Sequence, residues 1–98
     1  MPLPVNPNVT PAAKRLLDYL TALPAGCILT GQHNFPATLS RYYNRVYEIT
    51  GRYPAVWGQD FGFAAEGDKD SVSARAAIIE EAIRQHHSGA IITLMWHA

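Results

Sequence analysis

Gly89-Ala90-Ile91-Ile92-Thr93-Leu94-Met95 is the most apolar stretch of the chain, and its reading decides the fold. Six residues bounded by a glycine are too few for a buried helix and suit a strand. The run shows almost no polar alternation, and a strand without alternation is one covered on both faces, as in a parallel sheet flanked by helices. The segment before it fits that reading. Asp70 or Ser71 can cap a helix along which Val72, Ala76, Ile79 and Ile83 share one face, joined by Ile78 and Ala82. Glu80 and Arg84, four residues apart, form a favourable pair. His86 and His87 stand near the negative end of the helix dipole, where a structural role suffices.

The same alternation of helix and strand recurs upstream. Tyr53-Pro54-Ala55-Val56-Trp57 reads as a second strand, its proline tolerable near the start of the run. Before it, Leu39, Tyr42, Tyr43, Val46 and Ile49 recur at three- and four-residue steps, with Arg41, Asn44, Arg45 and Glu48 opposite and Gly51 as the stop. Cys27-Ile28-Leu29-Thr30, between Gly26 and Gly31, reads as the first strand. A first helix starts from Thr10 as cap and Pro11 in the first turn. It carries Leu16, Leu20 and Leu23 as its stripe and ends at Pro24 and Gly26. Residues 1–9, with three prolines and two asparagines, form an extended lead-in, so residues 10–98 make one structural unit. Strands separated by single helices imply crossover connections and a parallel α/β sheet. The stretch from Gly58 to Asp70 is longer than the usual connection of about 2–6 residues, a feature common in functional loops.

Composition narrows the classes. The chain has 98 residues, 48% of them hydrophobic and 16% charged, which suits one thin-cored globular unit. Eight basic residues balance eight acidic ones and neither sign forms a run, so a nucleic-acid partner is not expected. No apolar run reaches the roughly 20 residues that span a bilayer, and no membrane partner is expected either. Lys14-Arg15, the Leu16 to Leu20 stretch and Leu23-Pro24-Ala25-Gly26-Cys27 imitate a lipoprotein signal. Asp18 interrupts the would-be apolar core, which favours a surface helix leading into a strand. The single cysteine, Cys27, excludes an internal disulfide and reads as inert within a buried strand. His33, Asp60 and His97 lack close metal-ligand spacing, and Gly58, Gly62 and Gly67 match no phosphate loop. No metal or other cofactor is expected.

What singles the chain out is that all three strands run into polar groups: Thr30-Gly31-Gln32-His33-Asn34, then Gly58-Gln59-Asp60, then Trp96-His97. Carboxyl ends of parallel strands share one edge, the edge where α/β barrels and open α/β sheets bind ligands. Amides, imidazoles, a carboxylate and an indole are the mix a carbohydrate demands, since sugars present hydroxyl pairs and flat C–H faces. His33, Gln59, Asp60, Trp96 and His97 are therefore the candidate substrate-binding residues, with Gln32 and Asn34 beside them. Trp57 reads as core, while Phe61 and Phe63 line the cleft or cover its rim.

Three segments carry a family resemblance: Leu29-Thr30-Gly31-Gln32-His33-Asn34; Ile49-Thr50-Gly51-Arg52-Tyr53-Pro54-Ala55-Val56-Trp57-Gly58-Gln59-Asp60; and Gly89 through Trp96-His97-Ala98. Their order and spacing resemble the amino-terminal part of glycoside hydrolase family 26, best known for β-mannanases. The resemblance implies the first three strands of a (β/α)8 barrel, with His97 near the cleavage point and His33 and Asp60 on the non-reducing side of the cleft. It also implies a retaining enzyme acting on polysaccharide, foremost β-1,4-mannan, in an extracellular or periplasmic setting. Its acid/base and nucleophile glutamates would follow strands four and seven.

Retaining hydrolysis needs two carboxyl groups about 5–5.5 Å apart. Glu48, Glu80 and Glu81 fall on helices and Glu66 in a loop, so none offers that pair. The expectation is a truncated barrel, catalytically inactive by itself. The rival is a non-catalytic module that binds glycan or self-associates, and that must cover the open edge of its third strand.

Overall fold

The computed structural model describes residues 3–35, 38–61 and 73–95. Six elements follow in order: α1 Pro11–Thr21, β1 Gly31–Asn34, α2 Arg41–Thr50, β2 Val56–Asp60, α3 Arg75–His87 and β3 Ile91–Met95. The strands form one parallel sheet ordered β1-β2-β3. This is the helix–strand alternation and parallel sheet that the sequence predicts.

Two strands lie further along the chain than expected. β1 begins at Gly31, not Cys27, and β2 begins at Val56, not Tyr53. Pro54 explains both shifts. It has no N–H to give a ladder, so the first donor that β2 offers β1 is the amide of Val56, bonded to Thr30 O at 3.0 Å. Residues 27–29 find no parallel partner, and Ile28 stands 85% exposed. Cys27 is likewise exposed rather than buried in a strand. Gly31 suits its place because a Cβ there would come within 3.1 Å of Val56 Cβ.

Thr10 caps α1 as expected, its Oγ1 accepting from Ala13 N at 3.2 Å. The predicted leucine stripe is not buried: Leu16 and Leu20 remain about two-fifths exposed, and no α1 residue is buried. α2 ends on Gly51, whose φ of 79° lies in the left-handed region that glycine enters without strain. On α3 the buried residues are Ile78, Glu81 and Ala82, while Ile79 and Ile83 are about half exposed, so the inward face is rotated from the predicted one. Arg84 pairs with Glu81 at 2.6 Å rather than with Glu80. Asp70 and Ser71, the expected caps of this helix, and most of the long loop lie outside the described residues.

The core joins sheet and helices. Trp57 and Ile78 have no exposed surface, and Tyr43, Ala82 and Ala90 complete the cluster, with Phe61, Ala74 and Ile92 packed on it. Its polar ties converge on Ser40, whose Oγ accepts from Trp57 Nε1 at 2.8 Å and Gln85 Nε2 at 3.1 Å. One oxygen thus links the start of α2 with β2 and α3. Tyr43 adds a second tie, its hydroxyl donating to Pro54 O at 2.8 Å.

Candidate functional site

Strand alternation sorts the polar groups onto two faces of the sheet. Gln32, Trp57 and Ile92 are in register, as are Asn34, Gln59 and Leu94. Trp57 and Ile92 belong to the core beneath α2 and α3, so this is the helix-covered face. The opposite face carries Gly31, Val56 and Ile91 on one rung, His33, Gly58 and Thr93 on the next, and Asp60 with Met95 nearest the carboxyl ends. α2 and α3, the helices that pack on the sheet, lie on the other side of it.

This division separates the candidate residues. His33 is exposed and Asp60 half-buried, both on the open face towards the carboxyl ends of their strands. Gln59 and Asn34 lie on the covered face and are 0% and 1% exposed. The Gln59 amide donates to Phe35 O at 2.9 Å and its Oε1 accepts from Asp60 N at 2.7 Å. Asn34 donates to Gly58 O at 3.1 Å and accepts from Tyr43 N at 3.0 Å. Gln59, expected among the sugar-binding residues, is buried and acts as a splint that fixes the segment after β1 and the backbone of Asp60. The reason is register, because β2 runs on to Asp60, which turns Gln59 inward instead of leaving it in a loop. Gln32 is partly buried and donates to His33 O at 2.8 Å. Trp96, His97 and Phe63 lie outside the described residues, directly after β3 in the first two cases.

Gly58 and Thr93 were not singled out as site residues from sequence. A Cβ on Gly58 would stand 3.1 Å from Thr93 Oγ1 and 3.2 Å from His33 Nδ1. The imidazole and the hydroxyl thus lean over the glycine from either side, and a donor-acceptor notch opens on the uncovered face. The sequence signal for this was a glycine inside a strand, which often marks close approach by a neighbour. Beside His33 a small hollow of about 220 Å³ is lined by Gln32, Asn34, Phe35 and Tyr42. Phe35 and Tyr42 meet edge to face there at 5.4 Å. Among the described residues no three His, Cys, Asp or Glu side chains gather as a metal site, and no helix is long and apolar enough to cross a membrane.

The family model described as glycosyl hydrolase family 26 matches residues 5–98. A mannan endo-1,4-beta-mannosidase of Bifidobacterium adolescentis is 32% identical over 99 residues, which take up 92% of this chain and 10% of that protein. The solved structure of GH26A from Muricauda sp. MAR_2010_75 superposes with a TM-score of 0.81 at 45% identity, covering 96% of this chain and 29% of that one. The chain thus spans under a third of the length of either relative.

Proposed function

The chain belongs to glycosyl hydrolase family 26, and from that premise we propose that it forms part of the substrate-binding cleft of a retaining enzyme that cuts β-1,4-mannan internally. The observation that carries this reading is the segregation of His33, Gly58, Thr93 and Asp60 onto the sheet face opposite the one that α2 and α3 cover. In a closed (β/α)8 barrel that face is the interior, and its carboxyl end opens on the active site.

Each group then has a task. His33 and Asp60 take hydroxyl groups of sugar on the non-reducing side, with the imidazole able to donate and accept and the carboxylate accepting two O–H groups. Trp96 and His97, following β3, add a stacking surface and a contact near the cleavage point. The acid/base and nucleophile carboxylates come from later strands of the longer protein, since Glu48, Glu80 and Glu81 all stand on α2 and α3. The 98 residues by themselves bind weakly and do not hydrolyse. Action on an external polymer further implies export from the cytoplasm.

Reducing-end release from β-1,4-mannan tests the reading. The protein at its natural length should cleave it, and the 98-residue chain should not. His33→Ala and Asp60→Ala in the longer protein should each lower kcat/KM about tenfold or more, a loss of about 1.4 kcal/mol of transition-state binding. Turnover by the isolated 98 residues, or unchanged kcat/KM in both variants, would overturn it.

A further inference from the structure

A second opening among the described residues is not at the carboxyl ends of the strands. It is a cleft of about 370 Å³ at the opposite edge of the sheet, where Pro54 and Ala55 lead into β2 and Gly89 and Ala90 lead into β3. Its volume is within the roughly 300–1,000 Å³ typical of ligand pockets. α2 and α3 form its sides, and the small residues Ala55 and Ala90 keep its floor low.

Three polar groups with hydrogen-bonding capacity to spare face this space. Gln85 spends its Nε2 on Ser40 Oγ, and Ser40 is itself held by Trp57 Nε1, so the amide is fixed with its nitrogen inward. No buried described polar atom lacks a partner, and Oε1 of Gln85 takes none, so that acceptor is reached from outside. The exposed amide of Asn44 and the hydroxyl of Tyr53 complete the set. The Tyr53 ring is stacked against Tyr43 and Tyr47 at 5.2 and 4.4 Å, with planes 17° apart in each case, yet half of it remains exposed. A rigid aromatic surface therefore stands beside one amide already oriented, that of Gln85. None of the nine lining residues is charged.

These properties select a neutral ligand, because no lining group compensates an ion. They also select one with hydroxyl groups to donate and accept and a C–H face to lie on an aromatic ring. We propose that the cleft between α2 and α3 is a second carbohydrate-binding site, taking one or two pyranose units of a β-linked polysaccharide at the pole opposite the candidate catalytic cleft. It would hold the polymer near the protein without taking part in bond cleavage. Two sites on one molecule raise retention on a polymer by effective concentration, even when each is weak.

Affinity electrophoresis of the natural-length protein through gels containing soluble galactomannan, xylan or mixed-linked β-glucan tests this. Retardation on at least one polymer should fall by half or more in Tyr53→Ala and in Gln85→Leu, and also in Asn44→Ala, where an exposed side chain is removed and folding is spared. A thermal melt of each variant separates lost binding from lost structure. Retardation equal to the parent in folded Asn44→Ala and Tyr53→Ala, or no retardation of the parent in any gel, would overturn the second site. Hydrolysis of the same polymers is read separately, so cleavage with unaltered retardation defeats this proposal and leaves the catalytic reading standing.

Discussion

Gly58 has no side chain, and its neighbours on the rung use the space it leaves. A methyl group there would meet His33 Nδ1 and Thr93 Oγ1 at 3.2 and 3.1 Å, tighter than ordinary van der Waals contact. One of the two must shift if the methyl is added. Gly58→Ala should therefore lower kcat/KM on β-mannan roughly threefold to thirtyfold while costing about 1–3 kcal/mol of stability from overpacking. Steady-state kinetics beside a denaturant titration checks it, and full activity would show that the notch plays no part. That His33 and Asp60 stand towards the carboxyl ends of their strands was legible from sequence. The chemistry of Gln59 is suited both to a sugar and to a buried splint, and its burial depends on register, which the sequence pattern does not contain. Thr93 was passed over because it looks like an ordinary strand residue until its neighbour proves to be glycine.

At the scale of elements, β3 was read within one residue because its apolar run has few alternative pairings. β1 and β2 were displaced because their composition was read without their partner. The ladder is set by where Pro54 ceases to withhold a donor, which no single-strand pattern contains. The face of α3 went astray for a similar reason: Ile78, Ile79, Ala82 and Ile83 cover a broad apolar arc, and the sheet selects which part of it is buried. α2 is fastened more firmly. Tyr43 reaches Pro54 O with its hydroxyl, and burial, reinforced by nearby Tyr53, raises the phenol above its ordinary value of 10.0. The folded state thus favours the protonated form. The contribution is complete below pH 10 and is lost as pH rises through the raised folded value. Tyr43→Phe leaves the buried Pro54 carbonyl without its donor, which costs about 1–3 kcal/mol at neutral pH. It should also flatten the loss of stability above pH 10, as urea titrations at two pH values would reveal. An unchanged alkaline slope would mean that another group controls it.

For the molecule as a whole, the three parallel strands leave β1 and β3 as edges. Leu94 and Met95 on β3 are 44% and 47% exposed, and beside them Ile79, Ile83 and Ile92 line an apolar hollow. Contiguous apolar surface next to an unpaired strand is prone to association. The 98-residue chain prepared alone should sediment as oligomers or aggregates whose size grows with concentration, whereas the natural-length protein should show no such growth. A stable monomer of the isolated chain at about 100 μM in analytical ultracentrifugation would count against the barrel reading, because a standard obligate edge does not remain open at that concentration. Parallel order and family were legible from the sequence at this scale. The division of the sheet into a helix-covered and an open face was not, since it depends on register throughout.

That division has a consequence for how the interior tolerates change. On the uncovered face, bulk passes from strand to strand along each rung: Val56 stands where Gly31 yields, and His33 and Thr93 stand where Gly58 yields. Along these two rungs the space is set by the summed volume of the neighbours rather than by any one residue. A substitution harmful at Gly58 should become acceptable when Thr93 is made smaller in compensation, since volume-conserving exchanges are the ones packed interiors accommodate best. Related chains could thus differ at both positions together and still shape the same space.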